Sequence, residues 1–399
     1  MGRALLIIVL GFSTIFGGMM FNVTSSQQRS SRALVEQYKK IIARNAKESI
    51  SNVVISKAIK STNAAGTFSF GDVSCELMLQ DITADSTTEA KKSLMTIVCT
   101  YDGVADSTTI VMMRPAYSYY YYFVDGATWL SDIIYTTGDT LVGAIHANTS
   151  ITIDGNPVFF SKVSSTASGF NIVDVMTTEA RAFGGVEFGI DAIHLPNNAA
   201  LVPLEQVITA GGHLFAGADL HLTFKADSSY DWTQGAASGN SLISARNGTI
   251  MLTGTNNIHI KGVVGGQVTI LAEHDIVVDS SIVYLNDPRS MQGSNDYLGL
   301  IAKHNIRVKK DFTNVEIDAA MMALNEFKVD GYSTGGPKGT LTMFGSLAVY
   351  QDRPSGVVVG GTVANGYLRN HVYDLRLKER TPPYFPRLLD RKEVAYINN

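Results

Sequence analysis

The sequence lacks an excess of basic residues, because 32 Lys and Arg stand against 36 Asp and Glu, for a formal net charge of −4. Its basic residues also form no cluster interleaved with aromatic side chains, which excludes the usual pattern of a nucleic-acid-binding protein. Proline is scarce, at 10 of 399 positions, whereas glycine occurs 36 times. We therefore expect no nucleic-acid partner and a β-rich body with many tight turns, divided into two or three structural units.

Known catalytic patterns are scarce as well. No Gly-x-Gly-x-x-Gly follows a predicted strand, and Gly335–Thr340 lacks the spacing of a phosphate-binding loop. Hydrolysis of a glycosidic bond needs two carboxylates ~5–10 Å apart, but the acids near the predicted coils are scattered. These acids are Asp275, Asp279, Asp318, Asp352 and Asp374. We interpret them as solvated turn residues and predict a protein that is not an enzyme, with no catalytic residues and no cofactor.

A long apolar run, Ala4–Val23, contains no charged residue. As a helix it spans the ~30 Å hydrocarbon layer of a membrane. It passes into the polar stretch Thr24–Ser31 without a small-residue cleavage site, so we predict an uncleaved anchor in the cytoplasmic membrane rather than a signal peptide. The positive-inside rule alone would place the body in the cytoplasm, although long domains translocate regardless of nearby charge. The basic residues concerned are Arg3 before the run and Arg29, Arg32, Lys39, Lys40 and Arg44 after it.

The next segment, 30–60, has apolar residues at three- and four-residue steps and charged residues on the other face, which predicts an amphipathic helix. No Pro or Gly interrupts residues 22–65. Residues 1–65 therefore predict one rod of roughly 55–60 helical residues, about 85 Å long. We expect the first half of the rod to pack between subunits and the second half to cover its own β-sheet head.

Residues 66–116 predict a small β-meander. Apolar and polar residues alternate in 73–79 and 95–101, and antiparallel pairing with residue numbers that sum to 174 places the apolar pairs on one face. This register sets Cys75 opposite Cys99, within reach of a disulfide that would suit an oxidising compartment. Two buried free thiols are the alternative. A third strand, 108–113, completes the sheet, with its apolar face on the helix.

Residues 117–245 predict a connector with an early coil and an insertion. The aromatic run Tyr117–Phe123 is interpreted as a strand with one buried face and hydroxyl groups at the rim, and a carbohydrate-stacking surface is the alternative. Ser150–Gly155 is typical of one strand of a repeating coil. The insertion, 160–240, is predicted to carry a short helix after Pro203 and a hairpin, 213–225.

The segment 246–380 carries an internal repeat. Ala272–Val278 and Ala302–Val308 carry the same sequence motif, and 245–252 is a less similar copy of it. Three short apolar strands per copy, each followed by Gly, Asn, Asp or Ser, are typical of a parallel β-helix, in which each coil buries its inward residues on the next. One interior ladder is predicted to contain Ile250, Ile276 and Ile306.

Residues 381–399 begin with several prolines and predict an extended C-terminal tail that ends the solenoid. The predicted fold class is therefore mainly β with a long N-terminal α-helix: a pilin-like helix with a small antiparallel sheet, followed by a single-stranded parallel β-helix.

Two histidine pairs are candidate metal ligands. His274 and His304 should stack at the same corner of adjacent coils, and His213 should face His221 across a hairpin centred at Gly217. Neither pair has an evident third ligand in the sequence. We therefore interpret both pairs as exposed structural features and predict no metal site.

Several segments after residue 117 carry a resemblance to a known family. They are 121–123, 134–139, 143–148 and 153–159 in the middle of the chain, and 297–302, 339–346, 366–367, 373–377 and 382–386 towards its end. In these segments the chain resembles a bacterial family that joins a pilin-like N-terminal helix to a β-helical body. Gly2–Leu10 is similar to minor pilins and pseudopilins of type IV pilus and type II secretion systems. The resemblance implies an extracytoplasmic body and a part in pilus-like assembly or secretion.

Two positions depart from the pilin pattern. Cleavage by a leader peptidase after Gly2 would leave Arg3 as an unusual first residue. Ile7 stands where the family has a glutamate that pairs with the amino terminus of the neighbouring subunit. The departure favours a tip, initiating or accessory subunit, or a lone anchored protein, over a repeating subunit of a shaft.

The sequence as a whole predicts a membrane-anchored structural protein of the cell envelope. Its expected partners are the lipid of the cytoplasmic membrane and other pilin-like or secretion-system subunits, and its body is expected in the periplasm or on the cell surface. The alternatives are an anchored adhesin or glycan-binding module, a carbohydrate-active enzyme, and a cytoplasmic scaffold tethered to the membrane.

Overall fold

The structure, a computed structural model, describes residues 2–60, 65–126, 133–173, 179–359, 362–388 and 392–397. It has a long N-terminal helix, a small antiparallel sheet and a large, mostly parallel β-body, so the predicted fold class is confirmed. The helical elements in these ranges are α1 (Gly2–Lys60), α2 (Asn198–Gly211) and the 3-10 helices η1 (Tyr117–Tyr119), η2 (Ile243–Arg246) and η3 (Leu375–Lys378). The strands are β1 (Gly66–Phe70), β2 (Val73–Asp81), β3 (Lys91–Tyr101), β4 (Val104–Arg114), β5 (Tyr120–Val124), β6 (Ile133–Thr136), β7 (Thr140–Leu141), β8 (Ala144–Ala147), β9 (Ile151–Asp154), β10 (Val158–Phe159), β11 (Val163–Ser165), β12 (Asn171–Ile172), β13 (Arg181–Ala182), β14 (Val186–Phe188), β15 (His213–Ala216), β16 (Leu220–Phe224), β17 (Ser229–Gln234), β18 (Ala237–Leu242), β19 (Thr249–Thr253), β20 (Ile258–Val264), β21 (Gln267–Ala272), β22 (Ile276–Tyr284), β23 (Tyr297–Ala302), β24 (Ile306–Val308), β25 (Val315–Val329), β26 (Pro337–Asp352), β27 (Gly356–Val359), β28 (Thr362–Tyr373) and β29 (Lys392–Ile397).

The first of two compact units consists of residues 1–82, 91–114 and 389–399. Its sheet is antiparallel, with the strand order β1-β2-β3-β4-β29. Cys75 lies opposite Cys99, which confirms the register predicted from the alternation, and the two residues form a disulfide. Strand β29 pairs with β4, in contrast to the predicted extended tail. Pairing between strands so far apart in sequence leaves no local signal in the chain.

The C-terminal half of α1 packs on this sheet. Ala46 and Ile50 are at most 8% exposed and belong to one core with the inward side chains of β2, β3 and β4. Lys47 lies beside this contact and pairs with Asp106 at 2.6 Å. The prediction that the second half of the helix covers its own sheet is confirmed.

The second unit, residues 83–90 and 115–388, is a parallel β-helix with three faces. Face A is the ladder of β15, β19, β21 and β23, continued by the middle of β25 and the second half of β26. Face B contains β16, β24 and the first parts of β20 and β22. Face C contains the last parts of β20 and β22, the first parts of β25 and β26, and then β28. Inward residues such as Ile270 and Ile276 are 0% exposed, and each such side chain stabilises the fold by ~1.5–3 kcal/mol on leaving water.

The coils do not stack in chain order. Strand β5 pairs with the end of β26, and β8, β11 and β14 follow β5 along face A. The ladders β6-β9-β12 and β7-β10-β13 form the other two faces of these coils. The coils that come first in the sequence therefore extend the solenoid beyond the coil that comes last.

A return segment, 189–197, leads the chain back along the solenoid. Asn148 donates to the Ile193 carbonyl oxygen at 2.8 Å, and Asp125 accepts from the Leu195 amide at 2.8 Å. Helix α2 follows this segment and packs on β15 and β19, at the opposite end of face A. The segment thus passes the coils of β8 and β5 in reverse order before the chain begins the coil of β15.

Several details of the solenoid differ from the prediction. Ile276 pairs with Ile306 as predicted, but Ile250 pairs with Ile270, because the less similar copy lies on face A rather than face B. Strands β11 to β14 belong to regular coils, so 160–240 is not one insertion. Helix α2 begins before Pro203 and contains it, and the antiparallel strands are β16, β17 and β18 instead of a 213–225 hairpin.

Candidate functional sites

The apolar segment of α1, residues 5–23, has no packing partner within the described residues. Its large apolar side chains are 56–74% exposed. By length and composition the helix can cross a membrane, and its most apolar part is not buried. Exposure of so much apolar surface to water is unfavourable, at about 25 cal/mol per Å². The segment is therefore suited to a lipid environment or to packing against other apolar helices.

The five acids singled out from the sequence are engaged within the fold. Asp275, Asp318 and Asp374 are 1–3% exposed, so their interpretation as solvated turn residues is wrong. Asp374 pairs with Arg376 at 2.6 Å, and Asp352 pairs with Arg369 at 2.5 Å. Asp318 accepts a hydrogen bond from a backbone amide at 2.9 Å, while burial raises its pKa to about 7. Such partners offset the cost of removing a carboxylate from water.

Residues 120–123 of the aromatic run lie in β5, where the side chains are buried on both sides of the strand, and Tyr117–Tyr119 form η1. Residues 120–124 are at most 8% exposed. Tyr121 stacks on His371 with ring centroids 4.2 Å apart, and the Tyr122 hydroxyl donates to Asp352. The predictions of hydroxyl groups at a rim and of a carbohydrate-stacking surface are both wrong, because the side chains of β5 are buried against other residues, Phe123 on Tyr117 and Tyr121 on His371.

His274 and His304 stack at 4.7 Å between ring centroids, as predicted. The structure adds a third candidate ligand, Asp275, whose Oδ1 lies 2.7 Å from His304 Nδ1 and 3.7 Å from His274 Nδ1. However, Asp275 also accepts from the backbone amide of Asn305 at 3.0 Å, and its Oδ2 lies 3.4 Å from Arg307 Nη1. Burial raises the pKa of Asp275, but the hydrogen bonds from His304 and the Asn305 amide lower it below its usual value.

Asp275 belongs to a ladder of Asp and Asn side chains at the corner between faces A and B. Asp219 accepts from the Asn257 amide at 2.8 Å, just as Asp275 accepts from the Asn305 amide two turns further on. Asn325 continues the ladder by donating to Asn305 Oδ1 at 2.9 Å. These side chains satisfy backbone amides at the corner. The role of Asp275 is therefore structural.

His213 does not face His221, in contrast to the prediction. His213 lies on β15 with its Nδ1 2.7 Å from the Tyr230 hydroxyl, whereas His221 lies on β16 and stacks on His259 at 4.4 Å between centroids. Strands β15 and β16 belong to different faces of the same coil, so they are not the arms of a hairpin. His259 has no signal in the sequence, because only the register of the coils brings it to His221.

The face-B cluster, defined as His221, His259 and Asp279, has ligand atoms within 4.8 Å of one another. His259 Nδ1 lies 2.8 Å from Asp279 Oδ1, and His221 Nδ1 lies 3.9 Å from Asp279 Oδ2. Lys309 Nζ also contacts Asp279 Oδ1, at 2.6 Å. Burial raises the pKa of Asp279, but the hydrogen bonds from His259 and Lys309 outweigh burial and lower it to about 2. Two imidazoles and a carboxylate are a donor set suited to zinc or copper.

Gly331–Gly335 matches the Gly-x-Ser-x-Gly pattern of nucleophile elbows, a match that the sequence analysis missed. The structure places Ser333 on an exposed turn between β25 and β26, and no helix follows it. Lys310 braces this turn by donating to the carbonyl oxygens of Gly331 and Thr334. A nucleophile elbow needs a strand-to-helix turn, so the segment acts here as a connection.

Comparisons with known proteins add little to this geometry. No protein-family model matches the chain, and no curated protein matches it. Among solved structures, it is similar to the crystal structure of the competence-associated pilin ComZ from Thermus thermophilus, with 11% identity over 85% of this chain and 87% of that chain and a TM-score of 0.34. At this TM-score the likeness carries no argument about function.

Proposed function

We propose that the protein is a non-enzymatic, membrane-anchored structural protein of the bacterial cell envelope, a pilin- or pseudopilin-like tip, initiating or accessory subunit of a type IV pilus or type II secretion-like assembly. The observation that carries the proposal is the contrast along α1. Residues 5–23 have exposed apolar side chains all round the helix, whereas Ala46 and Ile50 are buried on the sheet. One continuous helix thus joins a membrane-compatible segment to a folded head.

The disulfide supports a position of the body outside the cytoplasm. Cys75 and Cys99 are 0% exposed and bonded to each other at the centre of the sheet. Disulfides persist in oxidising compartments and are rare in the cytosol. This observation outweighs the basic residues after the anchor, since long domains cross membranes despite such charges.

Packing between apolar helices is the proposed means of assembly. The first half of α1 offers side chains for lateral contact with the helices of other subunits in the membrane. Ile7 is apolar where pilins carry the glutamate that pairs with a neighbour's amino terminus. A subunit at the start or tip of an assembly has fewer such contacts to satisfy than a subunit within a shaft.

A pair of matched substitutions tests the anchor. Phe12 and Leu34 are both large apolar residues on α1 and are 65% and 66% exposed, but only Phe12 lies in the apolar segment. Aspartate at the centre of a membrane helix costs roughly 3 kcal/mol. We expect Phe12→Asp to shift the protein from the membrane fraction to the soluble fraction, and Leu34→Asp to leave it in the membrane. An equal response of the two variants would remove the basis for the anchor.

Photo-crosslinking tests the assembly. A photoreactive side chain at Phe16, 64% exposed, should form adducts with the apolar helices of other membrane-anchored subunits. The same probe at Leu34 serves as the control outside the apolar segment. Adducts with lipid alone from Phe16 would support a lone anchored protein and contradict the proposal of an assembly subunit.

A further inference from the structure

We propose that the face-B cluster is a binding site for a divalent transition-metal ion of the zinc type, with one imidazole nitrogen each from His221 and His259 and the carboxylate of Asp279 as ligands. The three residues lie on three consecutive coils, in β16, in β20 and directly after the first part of β22. A bound ion would tie these coils together. The site is independent of the membrane anchor and of the assembly proposed above.

The spacing of the donor atoms suits a tetrahedral ion. Bonds of about 2.0–2.2 Å place neighbouring ligand atoms about 3.3–3.5 Å apart. The distance from His259 Nδ1 to Asp279 Oδ1 is 2.8 Å, and that from His221 Nδ1 to Asp279 Oδ2 is 3.9 Å, so the observed distances lie on both sides of the required one. The three ligand atoms lie within 4.8 Å of one another, so the side chains rotate to bring them to a common centre when an ion binds.

The parallel ladder holds the two histidines in place. His221 is the direct neighbour of His259 in the register of β16 and β20, and their rings stack at 4.4 Å with an interplanar angle of 25°. Asp219 Oδ2 lies 4.0 Å from His259 Nε2, on the far side of the ring. Without an ion, His259 Nδ1 donates its proton to Asp279; when an ion takes the place of that proton, the charge of Asp219 favours the tautomer that carries the proton on Nε2 and binds the metal through Nδ1.

Asp279 is the better metal ligand of the two aspartates that contact histidine pairs. Asp275 is 3% exposed and accepts a backbone amide hydrogen bond at the corner of the solenoid. The hydrogen-bond and ion-pair partners recorded for Asp279 among the described residues are side chains, and its own side chain is 19% exposed. An ion can therefore reach Asp279 without the loss of a backbone hydrogen bond.

Lys309 is the competitor for the site. Its ammonium group lies 2.6 Å from Asp279 Oδ1, where it neutralises the carboxylate. Its side chain is 35% exposed, so it can turn into solvent when an ion arrives. The side chain of His221 is 52% exposed, which leaves room for water or an external ligand at the remaining coordination position. The affinity of the site for an ion therefore depends on the free energy needed to displace the Lys309 ammonium group from Asp279.

Zinc binding to the full-length protein in detergent micelles tests the proposal. Isothermal titration with Zn²⁺ should give one ion per chain, and Co²⁺ should give the visible absorption of a tetrahedral centre. We expect His259→Gln to weaken Zn²⁺ binding by at least about 100-fold, since it removes a direct ligand. Lys309→Met should strengthen binding several-fold, because the competing ammonium is gone. His221→Asn, at the more exposed histidine, repeats the loss if His259→Gln is misfolded.

His304→Gln is the matched control, because it removes a stacked histidine from the other cluster. We expect its zinc affinity to equal that of the unmodified protein. Loss of binding in His304→Gln together with normal binding in His259→Gln would place the ion at the other cluster and overturn the proposal. The absence of saturable binding in both the unmodified protein and Lys309→Met would also overturn it.

Discussion

Reduction of the Cys75–Cys99 disulfide should loosen the sheet of the first unit and leave the solenoid unchanged. The bridge joins residues 24 positions apart. For a loop of this length, the chain-entropy relation gives a stabilisation of about 3.5 kcal/mol, through the restriction of the unfolded chain. Since about 1.4 kcal/mol corresponds to a factor of ten in an equilibrium constant, the opening equilibrium of the sheet should rise roughly 300-fold.

Hydrogen exchange measures this change strand by strand. The full-length protein in detergent micelles is compared with and without reductant. Reduction breaks the bond but, unlike substitution of the cysteines, leaves the buried sulfur atoms in the core. The slowest amides of β2 and β3 exchange through opening of the whole sheet, and we expect their protection to fall by roughly 300-fold. Strands β21 and β23 of the solenoid serve as the internal control, because both cysteines of the chain lie in the first unit.

Two results would refute this reasoning. Unchanged protection of β2 and β3 after complete reduction would mean that the bridge does not restrict the unfolded chain of this unit. A parallel loss of protection in β21 and β23 would mean that the reductant acts on the protein as a whole, or that the two units unfold together.

Three further sets of substitutions test the solenoid. Gly345→Ala should destabilise the solenoid by about 3–5 kcal/mol, because at φ +145° the new Cβ would lie 1.9 Å from a backbone oxygen. Gly266→Ala is the control: it has φ +103° and open space around the new Cβ, and should cost about 1 kcal/mol. Asp318→Asn should stabilise the protein by about 4 kcal/mol at pH 8 but not at pH 4. The pKa of Asp318 is about 7 in the folded protein against a usual 3.8. The stability that the protonated carboxyl group carries is therefore lost as the pH rises from about 4 to 7, whereas asparagine stays neutral. Arg369→Met should cost about 3–5 kcal/mol by leaving Asp352 buried without its cation, and the double variant with Asp352→Leu should recover most of that loss.

Denaturant unfolding followed by tryptophan fluorescence measures all three effects, because Trp232 lies in the second unit. Equal losses for the two glycine variants would contradict the steric argument at Gly345. An effect of Asp318→Asn that does not change with pH would contradict the raised pKa of Asp318. A double variant at residues 352 and 369 as unstable as the single Arg369→Met would show that the cost has another origin than an unpaired carboxylate.

Local patterns in the chain were sufficient wherever a structure repeats or alternates over a few residues. Alternation in 73–79 and 95–101 predicts the register that joins Cys75 to Cys99, because only one pairing puts all apolar side chains on one face. The repeated sequence motif predicts the stacking of His274 on His304 and of Ile276 on Ile306, because equivalent residues of the motif occupy equivalent positions on adjacent coils.

Predictions failed where the partner of a segment lies far away in sequence. The tyrosines of β5 are buried because residues far away in sequence pack on them: Tyr121 stacks on His371, and the Tyr122 hydroxyl donates to Asp352. The face-B cluster depends on coils of unequal length that bring His221, His259 and Asp279 together. Neither arrangement has a signal within a short window of sequence, since the contacts are set by the stacking of whole coils.

The sequence by itself determined the apolar N-terminal segment, the single long helix, the disulfide register and the β-helical class of the body. These features depend on hydrophobic periodicity and length, which are local properties of the chain. Only the tertiary structure decided the order of the coils, the pairing of β29 with β4, the burial of Asp275, Asp318 and Asp374, and which aspartate lies beside each stacked histidine pair. The physical reason is that parallel strands pair equally well with any coil of matching shape, so the choice of neighbour rests on the packing of the complete solenoid.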